Sequence, residues 1–235
     1  MIVHSYKPDN RFFKDSHIYS LRNSNTRVLS LQLLCLIICM IMGLAAPAAA
    51  LGEDLARQVL AEINLARSQP KTYAGYLREF RKKFRGKYYL MPGSSTHIQT
   101  REGTAAVDEA IRYLARQKPL PPLNWSDGLA AAADELAEDQ GRSGATGHAD
   151  SQGRSPQERI ERHGKWERTI AENIGYGPRD GRSMVMQLII DDGVRDRGHR
   201  TNIFNKAFGA AGAACGTHPG FGSVCVIDFA GGFRE

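Results

Sequence analysis

Residues Val28 to Leu44 (VLSLQLLCLIICMIMGL) carry no charge, and they divide the chain before any folding argument begins. Arg22 and Arg27 precede the run and Ala48-Ala49-Ala50 follow it. That is the order of a secretory signal: a basic segment, an apolar segment, then small residues at a cleavage site. Read this way, residues 1–50 leave on export and residues 51–235 fold outside the cytoplasm. The alternative is retention, since the run is nearly long enough to stay as a membrane anchor. What remains to fold suffices for one domain with a sizeable core, while two domains would each be small.

Composition agrees with a globular chain: of 235 residues, 42% are hydrophobic and 24% charged. The formal net charge is +6, but the first fifty residues hold five of the basic residues against two acidic ones. The remaining excess is too weak to mark a nucleic-acid binder, and no helix-turn-helix, zinc-finger or RNA-binding pattern accompanies it. Membrane contact is expected through the N-terminal segment if that segment is uncleaved.

Cys35 and Cys39 lie inside the apolar run, so the exported chain keeps Cys215 and Cys225. Outside the cytoplasm a disulfide between them is chemically reasonable. The segment from Gly209 to Gly232 reads as two short strands around His218-Pro219-Gly220, which sets Cys215 opposite Cys225, within bonding reach if the pairing is not the wide one. The alternative is two buried thiols. His218, beside Pro219 in the turn, is expected to be exposed.

Apolar spacing predicts a helix over Glu53 to Ser68, with Leu55, Val59, Ile63 and Ala66 on one face and Pro70 ending it. Tyr73, Leu77, Phe80 and Phe84 continue the periodicity. Between Arg78 and Lys87 lie six basic residues and one acidic residue, Glu79. Such a run is a solvated helix face or a contact for anionic lipid or glycan. Residues 88–103, with Pro92, Gly93, Ser94 and Ser95, read as a loop.

A further helix is expected from Thr104 to before Lys118. Another runs from Asp127 to Gln140 behind Ser126 as N-cap, with Gly141 and Gly144 breaking it. A third starts at Ser155-Pro156-Gln157-Glu158, a capping-box sequence, and runs to about His163. Thr169 to Tyr176 reads as a strand, Met184 to Ile190 as a buried helix, and residues 191–199 as a loop. Helices first and strands late argue for an α+β domain, with helices packed on a small antiparallel sheet. Trp125 and Trp166 read as packing anchors. Gly175 to Gly181 is a loop and not a phosphate cradle, because no Lys-Ser/Thr pair follows.

Several short strings then stand out in order: Asn64, Ala66 and Arg67 in the first helix; Leu123-Asn124-Trp125-Ser126; Gly147-His148-Ala149; Ala171-Glu172-Asn173-Ile174; Arg197-Gly198-His199-Arg200-Thr201-Asn202-Ile203; and Cys225-Val226-Ile227-Asp228-Phe229-Ala230. None is specific alone. In this order the chain resembles the CAP superfamily, which groups cysteine-rich secretory proteins, antigen 5 and plant pathogenesis-related proteins with many bacterial relatives. The resemblance runs from about Asp54 to Phe233.

It implies a single α-β-α sandwich and a surface cleft where two histidines and two acidic residues converge. His148, Glu172 and His199 fall on three of those positions. The fourth is a Glu in family members with the full set, whereas this chain has Asp191-Asp192, whose side chains are one methylene shorter. Asn173 follows Glu172 and belongs to the same candidate set, or it braces the loop.

Two imidazoles facing a carboxylate can hold Zn²⁺ or another divalent metal, leaving a position for water. His148 and His199 are therefore the candidate metal ligands, although no H-E-x-x-H string supports them. Nucleophilic catalysis has little to work with: there is no G-x-S-x-G elbow and the two cysteines are expected to pair. Two functions stay open. In one, the cleft of an exported domain binds a lipid, a glycan or a protein segment; in the other, the same residues serve a metal-assisted hydrolase or peptidase.

Overall fold

In the computed structural model, the described residues are 48–90 and 97–235. The apolar run, Cys35, Cys39 and nearly all of the expected signal lie outside the described residues. Among the described residues no helix is long and apolar enough to cross a membrane.

Helix α1 (Ala48–Ser68) begins earlier than the expected Glu53, and it buries Ala56, Val59, Leu60, Ile63 and Ala66 along one stripe. Pro70 does not simply end it. It opens helix α2 (Pro70–Arg81) from the first turn, where its missing N–H costs nothing. Near the end of α1, the fully buried guanidinium of Arg67 donates to the carbonyls of Pro121 (3.0 Å), Ile203 (2.8 Å) and Asn205 (3.0 Å). One charged side chain thus fastens the first helix to two distant loops.

Strand β1 (Phe84–Arg85), where helical periodicity is expected to continue, forms a small antiparallel sheet with β2 (Tyr88–Leu90) and β3 (His97–Gln99), which lie in the segment expected as a loop. Its inward residues Phe84 and Tyr89 pack edge-on against Phe80, so apolar contact with α2 overrides the turn-forming composition nearby. Helix α3 (Thr104–Arg116) buries Val107, Ala110 and Leu114 as its periodicity predicts. The two-residue strand β4 (Asn124–Trp125) leads into helix α4 (Asp127–Ser143), where the Ser126 hydroxyl accepts from the Leu129 N–H at 3.2 Å. Gly141 does not break α4; a β-carbon there would meet the Thr217 carbonyl at 2.9 Å, so close packing explains the glycine. Gly144, in the left-handed region, terminates the helix.

Helix α5 (Pro156–Glu161) carries both halves of the expected capping box. Strand β5 (Lys165–Tyr176) starts earlier than expected, helix α6 (Gly181–Ile190) is buried, and helix α7 (Gly198–Ile203) occupies the end of the expected loop. Strands β6 (Ala210–Gly216) and β7 (Val224–Arg234) complete a four-stranded sheet in the order β4-β6-β7-β5, antiparallel except for β4 beside β6.

Both faces of that sheet are covered. Ala211, Ala213, Ile227 and Phe229 face a core built from α1, α2, α3 and α6. Ala214, Val224, Val226 and Ala230 face α4 and α5. The result is an α-β-α sandwich whose central strands are apolar on both sides. At Gly212 a β-carbon would lie 2.1 Å from the Ala130 nitrogen, so the glycine lets α4 rest directly on β6. Cys215 and Cys225 are register partners and are joined by a disulfide, their α-carbons 4.1 Å apart as in the narrow antiparallel pairing.

Candidate functional site

Strand β5 is an edge of the main sheet, and consecutive residues of a strand point to opposite faces. Glu172 therefore turns toward α5, and Asn173 toward α7. The two histidines are fastened to the strand through these neighbours, one from each face.

On the first face, His148 Nδ1 lies 2.7 Å from Glu172 Oε1, while Arg159 Nη2 donates to Glu172 Oε2 at 2.5 Å. The Glu172 and Arg159 side chains are buried, whereas the His148 side chain is 55% exposed. The hydrogen bond to Glu172 raises the His148 pKa above the ordinary histidine value, against the opposing effect of burial. Asp228 stands across from Glu172 in the β5–β7 register, fully buried and with neither carboxyl oxygen in a hydrogen bond. Burial, then the charge of Glu172, pushes its carboxyl well above the usual range. That shift favours the protonated form, in which the carboxyl group can lie against a second acid.

The loop carrying His148 is held from behind. Gln140 Nε2 donates to the Gly147 carbonyl (2.6 Å), the Tyr176 hydroxyl donates to Gln140 Oε1 (2.8 Å), and the Gly147 N–H donates to the Tyr176 hydroxyl (3.2 Å). Arg159 Nη1 also donates to the His148 carbonyl at 3.0 Å. His218 belongs to this clamp, contrary to the expectation that it is exposed; it is buried against Tyr176 and Phe221. The Gly220 N–H donates to its Nδ1 (3.1 Å), so Nε2 carries the hydrogen and donates to the Ala145 carbonyl (3.0 Å). The hairpin tip, folded back over α4, removes His218 from solvent.

On the second face, Asn173 Nδ2 donates to the His199 carbonyl (3.0 Å), and its Oδ1 accepts from Asn202 (2.9 Å). Asp191, at the left-handed C-cap of α6, places Oδ1 2.6 Å from His199 Nδ1, and its Oδ2 accepts the His199 N–H at 2.9 Å. The shorter side chain does reach, because the left-handed turn at Asp191 brings its carboxyl to the start of α7. Asp192 does not join it: its oxygens accept the N–H groups of Arg101 (2.7 Å) and Glu102 (2.8 Å) at the entry to α3. Arg197 completes the anchorage, donating to both oxygens of Glu102 at 2.7 Å and to Glu109 at 2.8 Å. The hydrogen bonds from Arg197 lower the Glu102 pKa to about 2. Arg200 pairs with Glu109 at 3.1 Å.

Each candidate imidazole thus has Nδ1 committed to a buried carboxyl group, which leaves Nε2 for a ligand. The two carboxyl groups are used behind the histidines. The protein donors available to a divalent metal are then two imidazole nitrogens, fewer than the three of a catalytic zinc site. Among the described residues no group of three or more His, Cys, Asp or Glu side chains is placed to hold a metal ion. Two surface recesses, of about 280 and 380 Å³, lie elsewhere, and neither is lined by His148, Glu172 or His199.

Sequence reasoning missed Arg159, Asp228 and the Gln140–Tyr176–His218 clamp. An aspartate inside the apolar run Val224 to Ala230 was a usable signal, since a carboxyl group in a strand covered on both faces requires a reason. Arg159 gave none, because on a short capped helix it looks like any surface arginine.

Among curated proteins none matches the chain. Solved structures similar to it include an extracellular protein containing an SCP domain from Bacillus anthracis, at 21% identity over 47% of this chain and 34% of that one, TM-score 0.39. An outer surface protein from Borrelia burgdorferi matches at 19% identity over 47% of this chain and 78% of that one, TM-score 0.40. A cysteine-rich secretory protein from Staphylococcus aureus matches at 16% identity over 61% of this chain and 46% of that one, TM-score 0.39. The matched part spans about a third of the Bacillus protein and under half of the Staphylococcus protein. The sequence model of the CAP family, described as the cysteine-rich secretory protein family, matches residues 60–229, from within α1 into β7 and well over half of the chain. The chain belongs to the CAP family.

Proposed function

We propose that the protein is an exported CAP domain whose His148 and His199 form one ligand-binding site across the edge of β5. The ligand is a lipid, a glycan or a protein segment. The observation that carries this reading is the matched construction of the two histidines: each has Nδ1 on a buried carboxyl group, and their anchors, Glu172 and Asn173, are neighbours on one strand. A rigid carboxyl partner fixes the ring and makes the outward nitrogen a better hydrogen-bond or metal partner. A divalent ion would be held by His148 and His199 through their Nε2 atoms, and it would supply polarisation of a ligand oxygen.

Calorimetric titration with Zn²⁺, on the protein and on His148→Ala and His199→Ala, tests whether the two residues act together. Each substitution should remove most of the affinity, and affinity should fall with pH through the histidine range, because imidazolium does not bind metal. Equal affinity in all three proteins ends the shared-site reading. An accompanying peptidase and esterase screen, with and without chelator, decides the hydrolase alternative: chelator-sensitive turnover lost in both variants would replace ligand binding with catalysis.

A further inference from the structure

The small sheet β1–β3 and the end of α2 form a surface that the candidate site does not use. Its inner side is closed by Phe80, Phe84 and Tyr89. The register pairs Arg85 with Tyr88, Tyr88 with Gln99 and Leu90 with His97, which brings all five side chains to the outer face. Tyr88 and Leu90, each 45% exposed, are the exposed large hydrophobic residues among those described.

They follow the basic run directly, and the register sets Tyr88 beside Arg85. Arg78, Lys82, Lys83, Arg85 and Lys87 of that run are all exposed. Lys82 is paired with Glu79, and Arg81 with Asp108. Among the described residues Arg78, Lys83, Arg85 and Lys87 carry no ion pair. A merely solvated basic face has no need of an exposed apolar pair beside it. A soluble polyanion or nucleic acid would be served by the charges alone. A bilayer surface uses both: apolar side chains enter the headgroup–acyl boundary while cations meet anionic headgroups.

We propose that the outer face of β1–β3 docks the protein on an anionic lipid bilayer, with Tyr88 and Leu90 inserting and Arg78, Lys83, Arg85 and Lys87 contacting headgroups. This is independent of the ligand reading above. It also has a spatial consequence, since β3 runs directly into Arg101 and Glu102, whose N–H groups hold Asp192 beside the His199 turn. Docking would bring that turn near the membrane.

The test compares binding of the full chain to phosphatidylcholine vesicles with binding to mixed phosphatidylcholine and phosphatidylglycerol vesicles. The apolar N-terminal run is common to every variant, so differences between variants report the face. Lys83→Glu/Arg85→Glu/Lys87→Glu should weaken binding to the anionic vesicles by on the order of a hundredfold, and added salt should do the same to the parent. Tyr88→Ser/Leu90→Ser should also weaken it, with the melting temperature unchanged because both side chains lie outside the core. Leu90→Trp should be quenched by brominated acyl chains, which reads insertion at the face itself. Unchanged affinity in the charge variant, or an unquenched tryptophan, overturns the proposal. Anionic binding that survives the loss of Tyr88 and Leu90 undiminished would assign the face to a soluble polyanion.

Discussion

Glu172 divides its two oxygens between a half-exposed imidazole and a buried guanidinium, and each contact carries its own prediction. Glu172→Gln weakens the hydrogen bond and removes the charge that together raise the His148 pKa, so the histidine should titrate lower, nearer its ordinary value of 6.5; an NMR titration of the ring reads this directly. A raised folded-state value means that the interaction stabilises the protein fully below about 6.5 and that this stabilisation is lost as pH rises through the raised value. The gap in melting temperature between parent and Glu172→Gln should therefore narrow across that window, and a gap widening with pH would contradict it. Arg159 and Asp228 behave oppositely despite equal burial. Arg159→Met strands Glu172 beside a second acid and should cost about 3–5 kcal/mol in denaturant unfolding. Asp228→Asn replaces a carboxyl group whose burial favours its neutral form by one of nearly the same shape, so it should cost only about 1 kcal/mol. Similar losses in the two variants would show that Asp228 is charged in the folded protein.

At the scale of elements, the terminal hairpin does two jobs. It closes the sheet through the Cys215–Cys225 bond, and its tip reaches back through His218 to the loop that carries His148. Cys215→Ala/Cys225→Ala should lower stability by on the order of 2–3 kcal/mol, the value for constraining a loop of this length in the unfolded chain. The fold should survive, because apolar residues on both faces of β6 and β7 remain covered. Mass spectrometry of unreduced peptides checks the bond, and thermal melts of the double variant check its worth. The other anchored element, the turn from Asp191 to α7, depends on Glu102 accepting from Arg197 and from the Gly193 N–H. The Glu102 value of about 2 lies below its ordinary 4.5, so that support is present above about 4.5 and is lost as pH falls toward 2. Hydrogen exchange in residues 193–197 should rise in that acid window before the core opens, and uniform exchange across the molecule would argue against a local release.

For the whole molecule, export remains the first expectation, and cleavage after Ala50 would shorten α1 by its first three residues without touching the buried stripe that starts at Ala56. N-terminal sequencing of exported protein should begin at or near Leu51, and a membrane-bound form beginning at Met1 would replace cleavage with anchoring. How much of this molecule could be read from its residues depends on the range of the forces involved. Helical stripes such as Val107, Ala110 and Leu114, the capping box at Ser155, and the apolar strands on either side of Pro219 are local patterns, and the sequence by itself determined them, together with the α+β class and the disulfide hairpin. The order of the strings around His148, Glu172 and His199 named the candidate side chains. Only the tertiary structure decided which acid serves which histidine, because Glu172 meets His148 and Arg159 through the packing of α5 on β5, and Asp191 reaches His199 through a left-handed turn. The burial of His218 and the pairing of Asp228 with Glu172 were hidden for the same reason: both depend on strand register and on the position of α4, which join residues far apart in the chain.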